Sequence, residues 1–539
     1  MPGSPATPDH PLPRRIGYFL TGILLGLAGG FANGLLVANT QQLQGAFGLS
    51  SVEVGWLVAV YSMTNVCTGM LLIKFRQRFG VTLFARIFLP AFAFVSLAQL
   101  FLDSYQLELL LRGIGGIVGS GLSSFALFYF MQSLPPAKRL AGMVRGVGRG
   151  QLALPRARVL SPLLLAQGDI HYLFAFELGL ALLCLACAGL LPLPPSERMD
   201  TFEGLDLLTF AFLAPGVGLL SAVLAQGRTV WWTTPWIGYA LAGAIVLIGS
   251  AIVIEHNRAD PLLNLRWLAS RQIVMFATLA ATMRVLLTEQ GYGSVGLLTT
   301  LGMGPDQLVR FYVVVSLASV AGLIAGVLTL DPQDVLRPIM VATALIALGA
   351  WLDSDASNLT RPAQLYLSQA LIAFAAILFI GPLMMIGMFR ALSRGPSHMV
   401  SYTAVFGISQ TLGGLGGTAL LGTFQIWRER LHSSDLVQQI QLTDPIDAAR
   451  ITQLGGAYAR VLGDPALRQA QGSVLLGQQV TREANILAFN DVFLLIAVLA
   501  AVASALLFAR WLYFHRKGTD TLAADVAALQ KLRQAKANG

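Results

Sequence analysis

The stretch Leu107–Arg139, LELLLRGIGGIVGSGLSSFALFYFMQSLPPAKR, decides how this chain is read. It is one long apolar segment, and a helix of about 20 such residues spans a bilayer. A single arginine, Arg112, stands just inside its first end. Small residues then recur four apart, Gly115 with Gly119 and Gly116 with Ser120, before a Pro-Pro pair, Lys138 and Arg139 close the run. In lipid, where hydrocarbon supplies no drive between helices, small residues let a neighbour approach closely. An arginine at the centre of a membrane helix costs roughly 2.5–3.5 kcal/mol. Arg112 is therefore expected to face protein or a watery cavity.

Composition carries the reading to the whole chain. Of 539 residues, 55% are hydrophobic and only 12% charged, about half the charge of an ordinary soluble domain. An all-α polytopic membrane protein follows. Cys67, Cys184 and Cys187 all lie in apolar runs and are expected to pack, not to ligate or pair. No histidine falls at a metal-ligand spacing, and no Gly-Lys-Ser/Thr phosphate loop occurs. The first apolar run follows Arg14-Arg15, is too long for a signal-peptide core and lacks a clear cleavage site. It reads as a retained first helix.

Apolar segments predict fourteen spans, near 17–39, 52–73, 81–102, 107–133, 140–165, 171–192, 206–226, 236–255, 272–301, 307–330, 336–353, 363–390, 400–424 and 488–513. Alternate loops hold Lys74, Arg76 and Arg78; Lys138 and Arg139; Arg198; Arg258, Arg266 and Arg271; Arg337; Arg390 and Arg394. The opposite short loops hold only Arg228, Arg310 and Arg361. Basic loops stay in the cytoplasm, so both termini are expected there. The plan is six spans, an extra pair and six more. It divides the chain into a cytoplasmic lead (1–16), an N-terminal six-helix bundle (17–192) and a linker region with two extra helices (193–271). A C-terminal bundle (272–513) follows, with a long non-cytoplasmic loop at 425–487, and then a cytoplasmic tail (514–539). Polar and broken by Gly and Pro, that loop is expected to form short helices outside the membrane, and the tail a short surface helix. Two six-helix units with a substrate path between them is a common transporter plan.

Several motifs then resemble one family, the fourteen-helix drug–proton antiporter branch of the major facilitator superfamily (EmrB/QacA type). They are Leu111, Arg112 and Gly116 in the fourth span with Pro135–Arg139 closing it, and Trp56 after the first outer loop. Pro261–Ile273 resembles the family's link into the second half, Thr411–Leu420 its Gly-rich thirteenth helix and Asn490–Val498 its last. The resemblance implies a transporter fold, a transport motif of Arg112, Gly115, Gly116, Gly119, Arg78 and Gly80, and export driven by protons. It also implies a bacterial inner membrane setting, with a periplasmic adaptor and an outer-membrane channel as partners and 425–487 as the docking segment. The chain departs from the pattern at named places. Ala32-Asn33 stand where the family has an acid, Gln77 and Ile73 replace two loop residues, Ala157–Pro162 replace the fifth-helix antiporter signature, and Gln410 stands where an arginine belongs.

The fifth span is unusually basic. Arg145, Arg149 and Arg156 fall on one helical face and Arg158 lies off it. Such a helix must border a polar cavity or acidic partners. Glu177 in the sixth span and Glu289 in the ninth are the acids expected to answer these arginines or to carry a proton. Arg284 lies five residues from Glu289, about 140° round the helix, so pairing across helices is expected instead. Arginines facing a cavity would grip a carboxylate in a bidentate fork. The candidate substrate and proton residues are thus Arg149, Arg156, Arg158, Glu177, Arg284, Glu289 and Gln410. Trp231, Trp232 and Trp236 read as an interfacial belt, and Gly381-Pro382 as a hinge candidate.

Two functions fit this sequence. One is secondary efflux of an amphipathic organic compound, drug-like or an organic or fatty acid, by alternating access. The other is a non-transporting membrane scaffold or sensor that retains the transporter fold. No nucleophile–base set, metal cluster or nucleotide-binding loop points to an enzyme, a cofactor or nucleic acid. The lipid bilayer and a small-molecule substrate are the expected partners, with the proton gradient as driving force.

Overall fold

A computed structural model describes residues 10–101, 104–135, 152–166, 168–194, 203–258, 261–395, 398–441, 443–518 and 520–538. The described chain is helical throughout. In the first half run α1 (Leu12–Ala38), α2 (Thr40–Phe47), α3 (Ser51–Phe79), α4 (Val81–Leu100), α5 (Tyr105–Ser133), α6 (Ala153–Leu164) and α7 (His171–Leu190). An extra pair follows, α8 (Gly204–Val230) and α9 (Pro235–His256). The second half comprises α10 (Arg271–Leu286), α11 (Val295–Thr300), α12 (Val309–Leu328), α13 (Leu336–Asp353), α14 (Tyr366–Leu378), α15 (Ile380–Leu392), α16 (His398–Gln439), α17 (Pro445–Gly456) and α18 (Pro465–Lys517). The tail forms α19 (Ala523–Asn538). Among the described residues twelve helices are long and apolar enough to cross a membrane. Their outer faces carry large exposed side chains such as Phe94, Leu190, Tyr239, Ile245 and Leu328, as a surface that meets lipid requires.

The two halves repeat one packing scheme. Within each, the first helix packs on the fifth (α1 on α6, α10 on α16), the second on the fourth (α3 on α5, α12 on α14) and the third on the sixth (α4 on α7, α13 on α18). The halves meet where α6 packs on α12 and α3 on α16. The extra helix α8 lies along α3 and also reaches α16, with α9 behind it.

Sequence chemistry explains the joints. A capping box between Ser50 and Glu53 starts α3. Gly80 alone joins α3 to α4 at φ 85°, ψ 161°, a region open in practice only to glycine. The loop basics expected at Lys74, Arg76 and Arg78 are instead part of α3, because nothing before Gly80 breaks the helix. Between α10 and α11 the ninth span is not regular, since Glu289–Ser294 winds as a π-helical turn. The twelfth span breaks at Phe379, between α14 and α15. Pro382 has no N–H with which to bond back to Leu378, so the ladder must lapse there.

The expectation of short helices across 425–487 needs correction. Only α17 is short; α16 runs 42 residues and α18 runs 53, about 63 and 80 Å at 1.5 Å per residue. Both far exceed a bilayer core of about 30 Å. Strong start signals occur only at Asp444-Pro445 and Asp464-Pro465, where each aspartate accepts from the backbone N–H two residues on. The tail helix docks back on α15, with Ser393 Oγ donating to Asp525 at 3.0 Å and Leu522 fully buried.

Candidate functional site

The glycine stripe of α5 packs against α3. A Cβ on Gly116 would overlap Thr64 and the Tyr61 carbonyl, and one on Gly119 the Tyr61 hydroxyl. Gly115 faces Tyr61 and Val95 less tightly. Asn65 Nδ2 donates to the Gly116 carbonyl at 3.0 Å. This close approach brings Tyr61 over the guanidinium of Arg112, 4.5 Å from its ring centre.

Arg112 is only 2% exposed, so it faces protein. Its Nη1 donates to the Ala32 carbonyl at 2.6 Å and its Nη2 to Asn33 Oδ1 at 2.7 Å. The two residues that stand in place of an acid are therefore the ones that hold this arginine. Glu177 of α7, also buried, lines with Arg112 a cavity of about 10 Å³, room for about one water. Leu35, Leu43, Leu173 and Phe174 close its walls. Glu108, one turn before Arg112, is buried and accepts from Gln99 Nε2 at 2.9 Å. Glu177 was expected to answer the arginines of the fifth span or to carry a proton; among the described residues it shares its cavity with Arg112 of α5, because α7 packs on α1 and α4 beside α5. Glu108 went unrecognised because an acid near a helix start reads as interfacial.

The fifth span contributes less than expected. Arg149 lies outside the described residues. Arg156, part-buried on α6, has no ion-pair or hydrogen-bond partner among the described residues. Arg158 reaches across to the second half, where its Nη1 donates to Tyr312 Oη at 2.8 Å. Arg228 of α8 similarly meets Tyr292 at 3.4 Å, and Trp232 Nε1 donates to Thr423 at 2.7 Å. These contacts tie the halves and the extra pair together at one end. Trp232 is thus an inter-helix clamp, and Trp236 packs on Trp56 with ring centres 5.7 Å apart.

In the second half Glu289 opens the π-helical turn and is fully buried. It pairs with no described arginine. Gln369 Nε2 of α14 donates to Glu289 Oε1 at 2.8 Å and to Asp353 Oδ2, at the end of α13, at 2.7 Å. Arg284 instead lies along α16, where Gly413 and Gly414 leave room for it. Gln410, one turn before those glycines, is part-buried and its Nε2 has no partner among the described residues. An arginine is therefore still present at this helix contact, supplied by α10 and not by α16.

At the other end of the bundle a buried ion network binds α3 to the extra pair. Lys74 Nζ donates to both oxygens of Asp206 at 2.9 Å. Arg258 reaches Asp206 at 2.9 Å, Glu203 at 2.8 Å and Glu255 at 2.8 Å. Burial opposes the charge of Arg258, but the hydrogen bonds it donates to these three carboxylates outweigh it and hold its pKa above the ordinary arginine value. Of the loop motif, Gly80 makes the joint and Arg78 stays exposed, beside the Phe79 ring.

Two packed six-helix repeats around a buried arginine on a glycine-striped fourth helix narrow the families sharply. The sequence model of the Major Facilitator Superfamily matches residues 17–418. The chain belongs to this superfamily. It is a multi-pass membrane protein of a secondary-transporter family and not an enzyme. Among superfamily members it is distantly homologous to the multidrug export protein EmrB of Escherichia coli, 23% identical over 472 residues, covering 84% of this chain and 86% of that one. The colistin resistance protein EmrB of Acinetobacter baumannii is 21% identical over 488 residues, covering 88% and 91%. Of solved superfamily structures, the human organic anion transporter MFSD10 aligns with a TM-score of 0.53 at 16% identity, over 91% of this chain and all of that one. That likeness speaks for the fold alone.

Proposed function

We propose that this protein exports an amphipathic organic compound, drug-like or an organic or fatty acid, across a bacterial inner membrane by proton-driven alternating access. In this reading the chain has fourteen spans, both termini are cytoplasmic, and the Lys74–Asp206–Arg258 network lies at the cytoplasmic end. The observation that carries it is the Arg112–Glu177 cavity: a buried cation and a buried acid share a space the size of a water. An acid so placed takes up or releases a proton as its access to water and its distance from Arg112 change. The long-range EmrB homology supports export as the direction. The same homology supports a periplasmic adaptor and an outer-membrane channel as partners, met by the paired extensions of α16 and α18.

Arg156 carries the substrate half of the proposal. A part-buried guanidinium without a protein partner among the described residues is placed to take a carboxylate. The test is flux in proteoliposomes under an imposed pH gradient, with lipophilic cations beside aromatic and fatty acids. Gradient-driven movement of an acid that is lost in Arg156→Ala is the expected result. Movement of cations instead would make the arginines structural. No movement of any compound by folded protein would favour the non-transporting scaffold.

A further inference from the structure

The acids of the second half are organised differently from any ion pair elsewhere in the molecule. Gln290 Nε2 donates to Gln369 Oε1 at 3.3 Å and to the Gln369 carbonyl at 3.2 Å. That fixes the Gln369 amide with its oxygen turned away from the acids. Its Nε2 then has two hydrogens to give, one to each carboxylate. With those spent, Glu289 Oε2 remains buried without a donor among the described residues. Glu289 and Asp353 are thus held on one side-chain nitrogen. Two ionised carboxylates are acceptors only, and two that share a site favour a proton on one of them.

The backbone explains why the acids converge. Gly349 lets α13 close on Ser368 and Ile372 of α14, which sets Asp353 beside Gln369. The π-helical turn re-aims Glu289, and Gly293 and Gly296 seat the Phe493 and Phe489 rings of α18 behind it. Single π-helical turns often mark functional sites.

No cation answers these acids among the described residues. Arg284 of α10 lies against Gly414 of α16. Arg428 and His432 of α16 are both taken by Asp491 of α18, at 2.6 Å each. Arg482 of α18 bonds the Leu301 carbonyl, and Arg361 the carbonyls of Asn358 and Thr360. Arg390 of α15 bonds the Gln272 carbonyl and faces Asp525, and Arg510 of α18 lies beside Phe514. Tyr292, within the π-helical turn, donates to Gln425, and Glu483 of α18 accepts from Asn358.

We infer that Glu289 and Asp353, bridged by Gln369, form a binding site for one exchangeable proton in the second half of the protein. The proton enters from water, adds to one carboxylate oxygen, is shared with the other acid, and leaves again to water. Residues 354–361 follow Asp353 directly on the way to α14. Asn490 of α18 clamps that turn by accepting from the Ala356 N–H at 3.1 Å and donating to the Ala356 carbonyl at 2.8 Å. As the site of a coupling proton it rests on the reading of proton-driven transport, whereas proton binding itself does not.

The test is infrared difference spectroscopy of the full chain in lipid nanodiscs, titrated with pH in the absence of substrate. A titrating protonated-carboxyl band is expected in Glu177→Gln, where the acid of the first half is silenced, and is lost when Glu289→Gln or Asp353→Asn is added. Each amide supplies the N–H that the remaining carboxylate lacks, so both variants keep the bridge and the fold. Asn490→Ala is expected to speed deuterium exchange of the same band while leaving its amplitude. A band that survives in both double variants, or the lack of any titrating carboxyl band in Glu177→Gln, would overturn the site. Gradient-driven flux in a protein without the band would sink the proton site and leave the export reading; the band without flux of any compound would do the reverse.

Discussion

The two halves bury acid in opposite ways. In the first, Glu177 and Glu108 lie within electrostatic range of Arg112, which also holds the Ala32 carbonyl and Asn33. In the second, Glu289 and Asp353 have only an amide between them. One cluster is balanced by charge, the other by hydrogen bonding. Removing a charge should therefore matter in the first half and much less in the second, although both clusters are buried within similar helix repeats.

Arg112→Ala should do the most damage. It strands a buried acid and two acceptors, and breaking a buried pair costs about 3–5 kcal/mol. The unfolding midpoint in mixed micelles should fall accordingly, and Glu177→Gln added to it should recover part of the loss. A double variant no better than the single would break the link between the two residues. Gly116→Ala comes next, since the added carbon must push α3 away from α5, at about 1–3 kcal/mol. Asn33→Asp should raise stability by about 1 kcal/mol, because a charged acceptor holds a guanidinium better than an amide does. The smallest change belongs to Glu289→Gln, within about 1 kcal/mol of the wild type, the scale of one hydrogen bond. A large loss there would show that the second cluster is balanced by charge after all.

The contrast also shows what a sequence can and cannot carry. Arg112 and its glycine stripe were legible because lipid leaves so few reasons for a buried arginine and for small residues four apart. Gly80 was marked by resemblance, but its physical reason is the one-residue joint at positive φ. Asp353 was not legible, because an acid at the last position of a span reads as an interfacial residue. Its burial depends on α14 closing over it at Gly349, which only the fold reveals. Lys74 misled in the same way: a basic residue past an apolar run counts as loop until Asp206, more than a hundred positions on, is found to receive it. The extension of α18 past a bilayer's length was hidden by Gly472 and Gly477, which long helices tolerate when their neighbours pack on them, and that of α16 by its polar composition.

The central claim is that a proton at the Arg112–Glu177 cavity drives transport. The most direct measurement is substrate flux in one proteoliposome preparation under an imposed pH gradient, comparing wild type, Glu177→Gln and a gradient-free control. The account predicts flux that follows the gradient in the wild type and falls to the gradient-free level in Glu177→Gln. Gradient-driven flux at the wild-type rate in Glu177→Gln would contradict it.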